Sequence, residues 1–452
     1  MATRKYRIKI SVIWGVSIKH DRPHIGKILK SLREHRGISQ ETVAVAAHFN
    51  RSTLSQIELG NHDCSDELLN SIKLALDVDF LPLRETERPY FRSLLNKWYN
   101  AISERDWENA KEMRDKLSVI RLLPHDTEFN ITFALHECRM LLPLNELDTA
   151  KAIIDELEDR FSELDVIQQY YHYFNQGSWN IRNKRNSEAL AFYLKAYEIM
   201  KSGLAKNIVL YFNIALCYSR LGRFNRAIAF LEEACMLPTI GQNNISELQL
   251  FNSLGLNYAR TGHLQRAKML LDKAYTIALG NYKTNANKDT KANVGVILHN
   301  YGYTFRMSKQ WNTAIEYFDK AFMYIDNETT SYLEVLYQKT RSLIEMRNHK
   351  VDSDLIEEGL FLSKSKNDED YVTLFKGLKR LIQPNDSDIE YLETKTLPYL
   401  LQNKLNCAAL DYATFLKDYY SKKGRGVKKK VSEMAHIAFN ILSEMLEGGV
   451  VE

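Results

Sequence analysis

Three stretches of this chain repeat one pattern of small and large residues, and that repetition restricts the fold more than any other feature. They are "LYFNIALCYSRLGRFNRAIAFLEEACML" (210–237), "LFNSLGLNYARTGHLQRAKMLLDKAYTIAL" (250–279) and "ILHNYGYTFRMSKQWNTAIEYFDKAFMYI" (297–325). Aligned, they give Tyr218, Tyr258 and Phe305, then a turn, then Ala227, Ala267 and Ala314, then Leu231, Leu271 and Phe318, then Ala234, Ala274 and Ala321. A period of about 38 residues with two helices per copy predicts an array, because one helix pair cannot bury its apolar face alone. Weaker copies begin at 91, 133, 171 and 333, and degenerate pairs over 389–424 and 431–446 read as terminal caps.

The alternation of a small residue and an aromatic on helix A, then Ala, a large apolar residue and Ala on helix B, resembles the tetratricopeptide repeat. That resemblance implies an all-α right-handed superhelix with the A helices lining a concave groove. The copies exceed the usual repeat length, and "NYKTNANKDTKAN" (281–293) reads as a long connection. Eight prolines in 452 residues fit a helical chain, since proline is the main interrupter of helices.

Ligand chemistry in such a groove belongs to helix A. Asn175, Asn213 and Asn300 fall at one equivalent position, Gln338 is the next, and Asn252 and Asn257 flank Ser253 in the copy between. Arg182, Arg220 and Arg260 form a second series. An amide offers a donor and an acceptor, so these residues suit the backbone of an extended peptide, and the arginines suit its carboxylates. The competing reading is that they satisfy helix ends and contacts between repeats.

Ahead of the array, residues 24–78 change character. Ile25, Ile28, Leu29 and Leu32 make a helical stripe closed by Gly37; Ser39 is placed to cap a second helix, with Thr42 three residues on and Val43 and Ala46 inward. "FNRSTLSQIELGN" (49–61) is a third helix held by Leu54 and Ile57, and "DELLNSIKLALDV" a fourth, with Leu68, Leu69, Ile72, Leu74 and Leu76 apolar. A tight turn at His48 to Asn50 between helices two and three meets the requirement of a helix-turn-helix. "ISQETVAVAAHFNRSTLSQIELGN" resembles the Cro/C1-type, Xre-like regulators, with His48 where many members carry Gly. The resemblance implies that Arg51, Ser52 and Gln56 face base edges, Arg suiting guanine and Gln adenine, while Gln40, Thr53 and Ser55 face phosphates. The bland alternative is a set of solvated helix residues.

The ends are basic. Arg4, Lys5, Arg7, Lys9, Lys19 and Arg22 stand against Asp21, and "KKGRGVKKK" (422–430) holds six cations, on a chain of net charge only +4. Such runs suit a polyanion or a solvated tail equally. Within 1–23 the apolar residues alternate from Ile8 to Ile18, the period of a strand. Five scattered cysteines without a CxxC pair point to a reducing compartment and against a structural metal or disulfide framework. No apolar run reaches the ~20 residues of a membrane span, and the start does not read as a signal peptide. Together these predict a cytoplasmic protein. No HExxH, Walker, GxSxG or Rossmann pattern occurs, so no enzyme, cofactor or metal is expected.

The order of the parts is then 1–23 basic extension, 24–78 helix-turn-helix, 79–90 hinge, and 91–446 repeats. It resembles the peptide-pheromone receptors of Gram-positive bacteria, the family of the Rap, Rgg, NprR, PlcR and PrgX proteins, with the NprR branch nearest in length and in its roughly nine helix pairs. The resemblance implies a homodimeric or higher-order transcription regulator that binds double-stranded operator DNA and is controlled by a short signalling peptide in the groove. Two alternatives stay open: contact with a response regulator of a phosphorelay, and a protein-binding scaffold.

Overall fold

The computed structural model describes residues 36–62, 64–76, 88–117, 127–237, 247–346, 353–423 and 427–446, with Gly26, Leu29, Lys30, Arg33 and Glu34 of the first helical stretch. The expected strand at 1–23, Ile25, Ile28 and Leu32, and most of the 79–90 hinge lie outside them. The described residues are all-α, without strands, and divide into an N-terminal unit ending at Lys206 and a C-terminal unit beginning at Asn207.

The N-terminal unit opens with α1 (Gln40–Ala46), α2 (Arg51–Leu59) and α3 (Asp66–Ala75). Ser39 caps α1 as its sequence position predicts, its Oγ accepting from the Thr42 N–H at 3.1 Å. His48 adopts φ +58°, the left-handed conformation that explains why glycine suits this turn. Gly60, at φ +79°, ends α2, and the Asn61 N–H returns to the Gln56 carbonyl at 2.9 Å. Leu54 and Ile57 are buried as expected. One inward assignment is corrected: Ala46 is exposed, the inward residues of α1 being Val43 and Ala44 with Ala47 beyond its end; of the apolar residues of α3, Leu69, Ile72 and Leu76 are buried and Leu74 is 64% exposed. A stripe of four positions turns with the 100° of each helical residue, so one neighbour of an inward residue necessarily faces out.

Helix pairs follow: α4 (Arg88–Glu104) with α5 (Trp107–Leu117), α6 (Thr127–Leu141) with α7 (Leu147–Asp159), and α8 (Val166–Arg182) with α9 (Asn186–Lys201). The apolar core is continuous from Val43, Leu54, Ile57 and Ile72 into Phe91, Trp98 and Phe133 of α4 and α6.

The C-terminal unit contains α10 (Ile208–Arg220) with α11 (Phe224–Cys235), α12 (Glu247–Arg260) with α13 (Leu264–Thr284), α14 (Lys288–Met307) with α15 (Trp311–Phe322), and α16 (Thr330–Glu345) with α17 (Ser353–Ser365). After them come α18 (Glu369–Leu381), α19 (Asp386–Tyr391), a five-residue π segment, α20 (Leu397–Gln402), α21 (Asn406–Lys422) and α22 (Lys428–Leu446). The nine aligned Ala, Leu and Phe residues on the second helix of the three clear copies are all buried. Helices cross closely where helix A carries glycine: a Cβ on Gly302 would stand 2.4 Å from the Phe318 ring. The expected long connection at 281–293 shrinks to residues 285–287, since α13 runs 21 residues to Thr284 and α14 runs 20 from Lys288, with Asn287 and Thr290 forming a capping box at its start. Tyrosines tie one element to another by donating to carboxylates: Tyr258 to Glu232, Tyr301 to Asp272, Tyr332 to Glu358, Tyr399 to Asp370 and Tyr420 to Glu393.

Candidate functional site

On α2, Arg51, Ser52 and Gln56 are exposed, and Thr53 and Ser55 half-buried. The opposite side of the helix is fixed by Leu54, Ile57 and a buried acid that sequence reading did not single out. Glu58 takes two hydrogen bonds from Arg33, Nε to Oε1 at 2.6 Å and Nη2 to Oε2 at 2.9 Å, while Arg33 Nη1 donates to the Ile38 carbonyl at 2.9 Å. Hydrogen bonding to Glu58 raises the Arg33 pKa against the lowering effect of burial. Gln40 joins this network, its Nε2 donating to Glu58 Oε2 at 2.8 Å. Its amide nitrogen is therefore engaged internally. Asn61 Nδ2 donates to Gln56 Oε1 at 3.3 Å, which orients the Gln56 amide on the exposed face. The clue to Glu58 was an acid directly beside the apolar ridge of α2, a position where a solvated carboxylate is not expected.

On the repeats, the amide series divides. In the N-terminal unit Asn175 is buried and donates to the Leu135 carbonyl of the preceding A helix at 2.9 Å, while its Oδ1 has no partner among the described residues. Nearby on α6 are two side chains missed from sequence. Arg139 stacks over Phe174 at 4.6 Å, and buried His136 is pushed down to about 3 by desolvation and by the charge of Arg139. Arg182 lies exposed at the end of α8.

In the C-terminal unit Asn300 Nδ2 donates to Asn252 Oδ1 at 2.7 Å, bringing two of the expected residues together. Asn257 is buried and donates to the Ser253 carbonyl of its own helix at 2.8 Å; its Oδ1 and the Oε1 of buried Gln338 have no partner among the described residues. Asn213 is half-buried and Arg220 exposed. Arg260 donates to Ser219 Oγ at 2.9 Å and lies over the Phe224 ring at 5.1 Å. The amides thus bond within and between helices, and three of them, Asn175, Asn257 and Gln338, keep a buried acceptor without a partner among the described residues.

Arg306 and Arg341 on α14 and α16 are buried and bridged by Glu345, whose Oε1 lies 2.7 Å from each. Burial raises the Glu345 pKa, but the two arginines outweigh it and hold the carboxyl below its usual range. Among the described residues no His, Cys, Asp and Glu cluster could hold a metal ion, and no described helix is long and apolar enough to cross a membrane. Lys423 and Lys430 of the basic run are paired with Asp386 and Glu393.

Known proteins share both parts. A helix-turn-helix domain model matches residues 24–85, and a tetratricopeptide repeat model matches 169–237. The transcriptional activator NprA of Geobacillus stearothermophilus is 25% identical over 408 residues, 87% of this chain and 98% of its own. Response regulator aspartate phosphatase A of Bacillus subtilis (strain 168) is 23% identical over 74% of this chain and 90% of its own. The structure of NprR in complex with its cognate peptide NprX superposes with a TM-score of 0.62 at 17% identity, covering 78% of this chain and 99% of that one, which shows a common fold. A helix-turn-helix followed by tetratricopeptide-type pairs is thus an arrangement in which the chain is similar, along most of its length, to NprA, and its fold is that of NprR.

Proposed function

We propose that the protein is a transcription regulator that binds operator DNA through α2 and is controlled by a short peptide held against the A helices of its repeats. The observation that carries this reading is the two-sided build of α2. Its inner side is fixed by Leu54, Ile57 and the Arg33–Glu58–Gln40 network, and its outer side offers Arg51, Ser52 and Gln56. A helix so held can present base-reading groups to the major groove without the entropy loss of ordering its backbone on binding. The similarity to NprA, named a transcriptional activator, supports the reading along 87% of the chain.

Peptide control is supported by the unsatisfied acceptors of Asn175, Asn257 and Gln338 and by the peptide complex of NprR. The peptide need engage only one of the two units. Control requires that the peptide bind one conformational or oligomeric state more tightly than another. Two recognition helices reach half-sites a helical turn apart only in a dimer, so the operator is expected to be two-fold symmetric.

The test is selection of fragments of the source organism's genome by the purified protein and by an Arg51→Ala, Gln56→Ala variant. Enrichment of a symmetric site by the first and not the second supports the proposal; equal recovery by both removes α2 as its basis. The similarity to a response regulator aspartate phosphatase favours a second reading, contact with a response regulator through the repeats. Recovery of such a protein without any enriched DNA would decide for it.

A further inference from the structure

Within the C-terminal unit, α21 does not simply follow α20 as the next layer of the array. It also lies across the A helices of earlier pairs. Asn406, at its start, packs on the turn between α10 and α11: its Nδ2 is 3.5 Å from the Leu221 carbonyl, and a Cβ on Gly222 would stand 3.1 Å from its own Cβ. One turn on, Asp411 Oδ2 meets Arg341 Nη1 at 3.1 Å and Arg306 Nη2 at 3.7 Å. Tyr412 stacks against Arg341 at 5.8 Å, and Phe224 shares a core with Leu416, Met434 and Ile441.

The charges explain why a carboxylate is there. Arg306 and Arg341 are 6% and 7% exposed and share Glu345, so these three groups leave one net positive charge buried on the A helices. An uncompensated buried charge is strongly unfavourable. Asp411 neutralises it, and does so from a helix distant in sequence. The side chain stands where an incoming carboxylate would be held by the same two guanidinium groups.

We propose that α21 is an internal ligand of the C-terminal unit: Asp411 occupies a carboxylate site formed by Arg306 and Arg341, and a peptide carrying a carboxylate binds there by displacing α21. The inference rests on the peptide reading above and adds to it a competing segment of the chain itself. Two states follow, one with α21 docked and one with the site filled from outside, and the peptide shifts the balance only by its preference for the second.

The test uses the full chain in a Cys235→Ser background, which removes an exposed thiol. One variant is Asp411→Asn. The other pairs Gly222→Cys with Asn406→Cys, whose Cβ separation is near that of a disulfide, at ~3.5–4.5 Å. The φ of +77° at Gly222 strains any side chain there, so the reduced form of the same variant is the folding control. The probes are a pool of random-sequence heptapeptides with free C-termini and an amidated pool lacking Asp and Glu. Asp411→Asn is expected to retain the first pool about tenfold more than the parent and the second pool no better. The oxidised pair should retain neither pool, and reduction should restore binding to the parental level. Equal retention by oxidised and reduced forms overturns the inference while leaving the peptide reading intact, and decides the matter if Asp411→Asn does not fold. No retention by any form overturns both.

Discussion

Glu58 sets how far α2 can be trusted as a rigid element, because it is 2% exposed and its two oxygens are filled by Arg33 and Gln40. Glu58→Ala removes one partner of a buried ion pair and strands Arg33, so it should lower the unfolding free energy by about 3–5 kcal/mol in chemical denaturation. A loss under about 1 kcal/mol, typical of exposed pairs, would contradict the burial. His136 gives a prediction in pH. Its folded pKa, pushed down to about 3, lies below the ordinary histidine value of 6.5, so the unfolded chain binds more protons between those limits. Its contribution is fully present above about pH 6.5 and is lost as pH falls towards 3, by up to about 1.4 kcal/mol per unit. His136→Phe should flatten that part of a stability-against-pH curve, and an unchanged slope would place the proton uptake elsewhere. Exposure on α2 was legible because it depends on one helix, the ridge of Leu54 and Ile57 leaving Arg51, Ser52 and Gln56 outside, whereas their roles rest on the resemblance. The burial of Glu58, Arg306 and Arg341 was not legible, because each is set by a charged partner far along the chain: Arg33 for Glu58, 25 residues away, and Asp411 for the two arginines.

The helix pairs were legible for a different reason. Ala227, Ala267 and Ala314 face a helix crossing too close for anything larger, so the same spacing must recur in every tight pair. Gly302→Ala tests the geometry: its new Cβ would meet the Phe318 ring, and overpacking of this kind costs about 1–3 kcal/mol. Melting of the full chain should show the loss, and no change would mean the two helices can part freely. The stretch at 281–293 misled because it is polar and rich in Asn and Thr, weak helix formers, whereas packing of α13 on α14 carries the helices through to Thr284 and from Lys288. Composition hid the tyrosine staples too, since a Tyr count says nothing about which carboxylate lies opposite.

At the scale of the molecule, the order of parts was readable and the long-range closure was not. The core that runs from Leu54 and Ile57 into Trp98 and Phe133 ties the helix-turn-helix to the first repeat pairs within one unit. Trp98→Ala should therefore speed hydrogen exchange in α2 as well as in α4 and α6; acceleration confined to the repeats would show that the bundle is energetically separate. The return of Asn406 to Leu221 spans 185 residues and leaves no periodic trace in the sequence. The terminal pairs were read from sequence as caps, and nothing local to them reveals that one lies across Arg306 and Arg341.

The central claim is that α2 reads DNA by its exposed face, and the most direct measurement is the affinity of the full chain for its selected site and for unrelated DNA, at physiological salt, with and without Arg51→Ala. The account predicts a loss of about 1–3 kcal/mol, roughly five- to 150-fold, on the selected site and a much smaller loss on unrelated DNA, because a base contact carries sequence information and a phosphate contact does not. An equal loss on both would make Arg51 a phosphate contact, and no loss on either would take α2 out of the interface.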